Sequence, residues 1–258
     1  METNAKHLLS IWDAITVPGN IGIDAPKKEW KKILLLEPII QDEFTFYTAE
    51  DGNTRKIILR LTQHYVSIID QKQDILKLVI SLAYVKCRWT TILGRPVISF
   101  VHAGLIFHFS STIEVVEKWK GELRKLVVVD DFHDVFNVEK LIKSEKGRKI
   151  LCARHKQTGK KYTVKQISKR KKLDTPLLIK QLYNYIKIMR TLGKNDHTAE
   201  LIEVHDTKHS FYLIMEHLGG ETLLSVEPLT EGESSAILSR VLKSIEFCHD
   251  NGIMHRDI

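Results

Sequence analysis

Between residues 30 and 128 the chain is cut into short runs rich in β-branched and aromatic residues, a texture that restricts what it can fold into. The first two runs, 43–47 and 56–61, flank Asp51-Gly52-Asn53, which reads as a hairpin turn. Five more follow at 64–69, 75–82, 85–91, 97–101 and 105–109. Seven short strands in series predict a sandwich or barrel. From 112 to 126 the spacing turns helical, with Ile113, Val116, Trp119, Leu123 and Leu126 on one stripe, so a single amphipathic helix closes an otherwise β domain. Residues 1–29 mix Pro18, Gly19, Gly22 and Pro26 without a sustained period and read as a tail or packing arm.

This first half resembles a pleckstrin-homology domain. The likeness implies a seven-stranded barrel capped by a C-terminal helix whose buried tryptophan is Trp119, and residues 54–62 are similar to the family's second strand. Phosphoinositide binding in that family uses two strand-borne cations near an open loop, which clamp a phosphorylated headgroup. Here Ile57 or Ile58 stands where the second cation would be, leaving Arg55, Lys56 and Arg60. Packing or contact with a protein partner is the other role expected of residues 30–128.

After a short linker, 129–131, the pattern changes. Runs at 136–141, 149–155 and 161–167 read as three antiparallel strands, the last two joined by a turn at Gln157-Thr158-Gly159. Thr175 as N-cap and Pro176 at the first helical position open a helix with Leu178, Leu182, Tyr185, Ile186 and Met189 on its stripe, ended by Gly193. Strand runs at 201–204 and 211–215 follow. Thr230 and Glu233 form a capping box ahead of Ile237, Leu238, Val241, Leu242, Ile245 and Cys248, read as a buried helix that ends at Asn251-Gly252.

Three segments in this half carry chemistry. Thr163-Val164-Lys165 ends a strand, residues 211–220 run from a strand into a Gly-Gly loop, and residues 253–258 read Ile-Met-His-Arg-Asp-Ile. In this order they resemble the start of a protein kinase domain, and Ala153-Arg154-His155-Lys156 with Ile167-Ser168-Lys169 is similar to the serine/threonine, calcium/calmodulin-dependent kinase group. The resemblance implies an α+β chain with a tail (1–29), a pleckstrin-homology-like domain (30–128) and a kinase small lobe with the first helices of the large lobe (132–258). It implies ATP and Mg2+ as cofactors. Lys165 would hold the α- and β-phosphates, Met215 would lie behind the adenine, Glu216 and Leu218 would run along its edge, Gly147 would belong to the phosphate loop, and Asp257 would orient the substrate hydroxyl and take its proton.

The sequence departs from that pattern at several positions. Laid against the glycine-rich loop, Ile142 and Ser144 occupy the first two glycine positions, Gly147 the third, and Lys149 the position of the valine that covers the adenine. No glutamate occurs between Lys165 and Glu200 to direct the lysine; Tyr185 takes its place, and Gln181 offers only a neutral bond. The magnesium ligands of the family lie beyond the point matched by Ile258, so the chain reads as truncated after the His-Arg-Asp triplet and inactive as given. Two functions compete: a kinase that phosphorylates protein serine or threonine in the complete protein, and a pseudokinase-type scaffold.

Composition narrows the remainder. Residues 143–172 hold thirteen Lys and Arg against the single acid Glu145 and account for much of the +7 net charge. Without a recognition helix, zinc-finger spacing or stacking aromatics, the cluster reads as solvated lysines and nucleic acid is not expected. The longest apolar stretch, 97–109, is broken by His102 and His108 and is too short for a membrane helix. No signal layout opens the chain, and the three cysteines lack disulfide or metal spacing, so a cytoplasmic protein is expected, with peripheral contact to anionic lipid as the alternative.

Overall fold

The computed structural model describes residues 32–47, 54–72, 75–82, 85–102, 105–145, 147–169, 176–220, 223 and 228–256. The Asp51-Gly52-Asn53 turn, Thr175 and Asp257 lie outside the described residues. Two compact units divide the chain. One comprises Met1–Phe132 with Glu203–Lys208, the other His133–Ile202 with His209–Ile258.

In the first unit the expected runs form β1 (Ile40–Tyr47), β2 (Thr54–Leu61), β3 (Tyr65–Asp70), β4 (Ile75–Ser81), β5 (Lys86–Ile92), β6 (Arg95–His102) and β7 (Leu105–Ser110), followed by helix α1 (Ile113–Leu123) and the two-residue strand β8 (Val128–Val129). The antiparallel order is β4-β3-β2-β1-β7-β6-β5. The sheet is not closed into the expected barrel. The free edge of β5 is taken by β8, which pairs in parallel at Lys86–Val128 and donates from the Val128 N–H to the Val85 carbonyl at 2.9 Å. Val128, the last residue of the expected domain, and Val129, read as the start of the linker, thus form a strand and are fully buried.

Alternation on β2 explains the core: Ile57, Leu59 and Leu61 point inward and are buried, while their neighbours face outward. They meet Phe44, Phe100, Phe109 and the α1 residues Val116, Trp119 and Leu123. Ile113 is exposed, so the helical stripe is narrower than expected. Thr112 caps α1 by accepting from the Val115 N–H. Trp119 is wholly buried, with Phe44 edge-on at 5.2 Å and its indole N–H donated to Asp42 Oδ2 at 2.8 Å. That bond satisfies the one polar atom of a large apolar side chain. Arg60 donates to the carbonyls of Leu34 and Leu36, which occupies its guanidinium with the chain ahead of β1.

A charged cluster lies at the β5–β8 edge. Arg124 makes four bonds: Nη1 and Nη2 to Asp131 at 2.7 and 3.1 Å, Nε and Nη2 to Glu203 at 3.1 and 2.9 Å. His205, fully buried, reaches Glu203 through Nε2 at 2.9 Å and lies 3.3 Å from Asp131 through Nδ1. Lys86 donates to the Asp206 carbonyl at 3.0 Å and sits 3.6 Å from the Asp130 and Asp206 carboxylates. Taking these charges out of water is costly, and the bidentate geometry offsets that cost. Although burial pulls the other way, the bonds to His205 and Arg124 hold the Asp131 and Glu203 carboxyls below their usual range.

The second unit begins with β9 (Phe136–Glu145), β10 (Arg148–His155) and β11 (Lys161–Ser168), continues through helix α2 (Pro176–Leu192), β12 (Leu201–Asp206, of which 203–206 belong to the first unit) and β13 (Ser210–Glu216), and ends with helix α3 (Glu231–Asp250). Its sheet is antiparallel in the order β13-β11-β10-β9. Helix α2 buries Leu182 and Ile186 of the expected stripe together with Ile179 and Tyr183, while Leu178 and Tyr185 are half-buried beside them. Gly193, at φ +58°, ends the helix. Helix α3 has its capping box, and its last turn closes with Ile253 N–H to Cys248 O at 2.9 Å and Gly252 N–H to His249 O at 2.8 Å, a Schellman pattern that needs the positive φ of Gly252. The helix is not buried as expected: Cys248 is, whereas Leu238 and Leu242 are more than half exposed.

Replacing Arg124 by Met should destabilise the chain by about 3 kcal/mol, because two partly buried carboxylates lose their cation. The contribution of the two depressed carboxyls is complete above their unfolded values near pH 4 and is lost as pH falls through the lower folded ones. Urea titrations should therefore show the gap between wild type and Arg124→Met at its widest above about pH 5 and narrowing in acid.

Candidate functional site

The site is set by which side chains share a face of the second sheet. Residues directly opposite in antiparallel strands project to the same side. On β11 the register pairs Lys165 with Ile150 of β10 and Leu213 of β13, and Thr163 with Cys152 and Met215. One face therefore carries Ile150, Cys152, Thr163, Lys165, Leu213 and Met215. Lys149 pairs with Gln166 and belongs to the opposite face, so the apolar side chain beside Lys165 is Ile150 rather than the residue at 149. The expectation for Lys149 is corrected by one position: strand alternation in the unbroken β10–β11 ladder puts Ile150, not Lys149, on the face that carries Lys165.

Lys165 is half-buried, and its ammonium lies 4.6 Å from the centroid of the Tyr185 ring on α2. Among the described residues no carboxylate comes within ion-pair distance of it. Burial is the main cause that lowers the Lys165 pKa, helped by the Arg148 guanidinium and opposed by Glu145. Burial alone raises the Tyr185 phenol. The pair is thus a cation over a neutral ring, in which the ring quadrupole attracts the charge without titrating against it.

Gly147 sits in the tight connection between Glu145 and Arg148, which are directly paired, and its φ of +79° suits a residue without Cβ. Its carbonyl accepts from the Ser168 N–H at 3.0 Å. Ser144, Glu145, Gly147, Arg148, Lys149, Gln166 and Ser168 line a recess there.

Where β13 ends, the backbone is already engaged. Met215 is buried. Glu216 donates its N–H to the Glu200 carbonyl at 3.0 Å, and its carboxylate accepts from the Glu200 N–H at 3.0 Å. The Leu218 N–H donates to Thr163 Oγ1 at 3.1 Å. The structure therefore gathers Lys165, Met215 and Leu218 around Thr163, a residue named in the Thr163-Val164-Lys165 segment but given no role of its own. Its signal was a hydroxyl two residues before Lys165, on the same side of the strand.

Of the His-Arg-Asp triplet, His255 and Arg256 are described. Arg256 has φ +69°, a left-handed conformation rare for a residue with a side chain. Among the described residues no group of three or more His, Cys, Asp or Glu gathers that could hold a metal ion. Nor is any helix there long and apolar enough to cross a membrane.

The family model described as protein kinase domain matches residues 138–258, just under half of the chain. Calcium-dependent protein kinase 14 of Oryza sativa subsp. japonica is 30% identical over 135 residues, which is 50% of this chain and 26% of the relative. CBL-interacting serine/threonine-protein kinase 15 of Arabidopsis thaliana is 32% identical over 126 residues, 48% of this chain and 30% of the relative. Calcium/calmodulin-dependent protein kinase type 1 of Caenorhabditis briggsae is 35% identical over 115 residues, 43% of this chain and 31% of the relative. The chain spans less than a third of the length of these relatives. The matches support a protein kinase domain in residues 138–258, in agreement with the resemblance drawn from its motifs.

A carboxylate in place of Tyr185 should favour the ammonium form of Lys165. In Tyr185→Glu, acylation of Lys165 by an amine-reactive ester, read by peptide mass spectrometry near pH 8, should fall about tenfold, the effect of raising the amine's pKa by one.

Proposed function

We propose that residues 138–258 form the nucleotide-binding part of a protein kinase that transfers phosphate from ATP to serine or threonine of a protein, with the activity belonging to the complete protein. The observation that carries this reading is the half-buried Lys165 on the same sheet face as Met215, with the segment 216–218 leaving the end of the neighbouring strand. A cation held there can take the α- and β-phosphates as a positioned point charge while the strand end meets the base. Ile150 would cover the adenine, Met215 would back it, and Glu216 and Leu218 would follow its edge. Gly147 would lie beside the phosphates. Asp257 would accept the proton of the attacking hydroxyl, and bound magnesium would supply charge neutralisation at the phosphates.

Turnover by this chain should be at background. Lys165 faces Tyr185 instead of a directing carboxylate, and Gly147 is the one glycine left of three in the loop pattern. Loss of a single positioned contact typically costs about 10²- to 10³-fold in rate. The Lys165–Tyr185 contact also favours a second reading, a pseudokinase-type scaffold in which the fold binds protein partners. The N-terminal unit, read as a pleckstrin-homology-like domain, would serve location or protein contact in either case. Since Arg60 is engaged by Leu34 and Leu36, Arg55 and Lys56 are left as the lipid candidates on β2.

Calorimetric titration of the full chain with ATP should give weak binding, about millimolar, that Lys165→Met reduces at least tenfold. Equal binding by both proteins would remove Lys165 from the site. Radiolabelled phosphate transfer to a basic protein should not exceed that of a Lys165→Met, Asp257→Asn double variant; transfer above it favours the enzyme over the scaffold. Vesicles rich in anionic lipid should bind the chain weakly, and raising salt from about 0.1 M to about 1 M should abolish it.

A further inference from the structure

We infer that Thr163 is a built-in competitor for the adenine edge: its hydroxyl occupies the Leu218 N–H that a purine would need, and so sets the nucleotide affinity of this site. The inference rests on the reading of residues 138–258 as an ATP site and goes beyond it by naming the residue that withholds the base contact.

Three observations converge on it. Thr163 Oγ1 accepts from the Leu218 N–H at 3.1 Å, a bond between residues 55 positions apart in sequence. Thr163 is 5% exposed and stands between Cys152 and Met215 in the sheet register, on the face that carries Lys165, so its side chain lies where a base backed by Met215 would lie. The other amide of the segment with a described bond, Glu216 N–H, is spent on the Glu200 carbonyl at 3.0 Å.

A purine ring nitrogen accepts a hydrogen bond and cannot share one N–H with the hydroxyl at full strength. Binding the base therefore exchanges one neutral hydrogen bond for another. The threonine bond is intramolecular and already ordered, whereas a bond to a free base carries the cost of immobilising the ligand. The phosphates are untouched by this competition, because they are assigned to Lys165. The base and the phosphate ends of the ligand are consequently under separate control: Thr163 depresses the affinity for the base and leaves that for polyphosphate alone.

The test uses the full chain and three probes: ATP, adenosine and inorganic tripolyphosphate. Thr163→Val keeps the branched shape and removes the acceptor, while Thr163→Ser keeps the acceptor and serves as control. Expected is adenosine and ATP binding about threefold to tenfold tighter in Thr163→Val than in wild type, the range set by the net worth of one neutral hydrogen bond. Tripolyphosphate affinity should be unchanged, Thr163→Ser should behave as wild type, and Thr163→Val should melt a few degrees lower while remaining cooperative, because the same bond is lost from the free protein. Equal adenosine and ATP binding by Thr163→Val and wild type, with ATP binding still lost in Lys165→Met, overturns the inference and leaves the ATP-site reading standing. Weaker adenosine binding by Thr163→Val also overturns it, since the hydroxyl would then be a contact for the base. Binding of ATP to neither protein removes the ATP site itself, and the inference with it.

Discussion

The pairing of β11 with β10 on one side and β13 on the other is the constraint on which the candidate site depends. A one-residue slip in either ladder would send Lys165 to the opposite face and bring Gln166 in its place. The register is well specified because the opposite face carries an apolar core: Leu151, Val164 and Ile214 are buried there, so the slip would take Val164 out of that core and put Lys165 and Thr163 into it. Packing on one side of the sheet thus fixes chemistry on the other. It also brings Thr163 opposite Met215 and within reach of Leu218, although no local sequence signal joins these positions.

Lys165 shows how one substitution changes the character of a site without disturbing its frame. A half-buried ammonium loses hydration whatever lies beside it. A carboxylate neighbour would return that energy as an ion pair and hold the charged form, whereas the Tyr185 ring returns a smaller, non-titrating attraction, and the lysine pKa is lowered accordingly. Arg148, at the start of β10, adds to the lowering. An anionic ligand arriving here would bring the missing negative charge itself, which makes the site more responsive to a polyphosphate than one in which the lysine is already paired.

Much of this was legible in the sequence. The seven strand runs, the α1 stripe with Trp119, the capping box at Thr230 and the stops at Gly193 and Asn251-Gly252 are written in local periodicity and turn chemistry, which act over a few residues. What escaped was set by partners distant in the chain. Helix α2 buries Ile179 and Tyr183 besides the expected Leu182 and Ile186, because packing, not propensity, chooses the face. The ladder between β10 and β11 puts Ile150 instead of Lys149 beside Lys165. The edge of β5 is taken by β8, whose second residue, Val129, reads as linker in the sequence. The Thr163 bond needed the register of two ladders before it could be seen.

The charged cluster in the first unit follows the same logic at longer range. Arg124 ends α1, Asp131 follows β8, and Glu203 and His205 come from a segment more than seventy residues later, yet all belong to one compact unit. Hydrophobic runs alone would not select this segment over another. A guanidinium with four bonds to two carboxylates does, because any other arrangement leaves at least one partly buried charge unpaired. Such a cluster contributes less to net stability than an apolar contact of the same size, while discriminating strongly against wrong partners. Residues 203–208 lie inside the stretch that matches the kinase family model, so the domain divided by sequence similarity and the unit divided by packing do not coincide. Separating the two halves at residue 132 would therefore leave Arg124 without Glu203, and the N-terminal unit would lose one side of the fork that closes its β5–β8 edge.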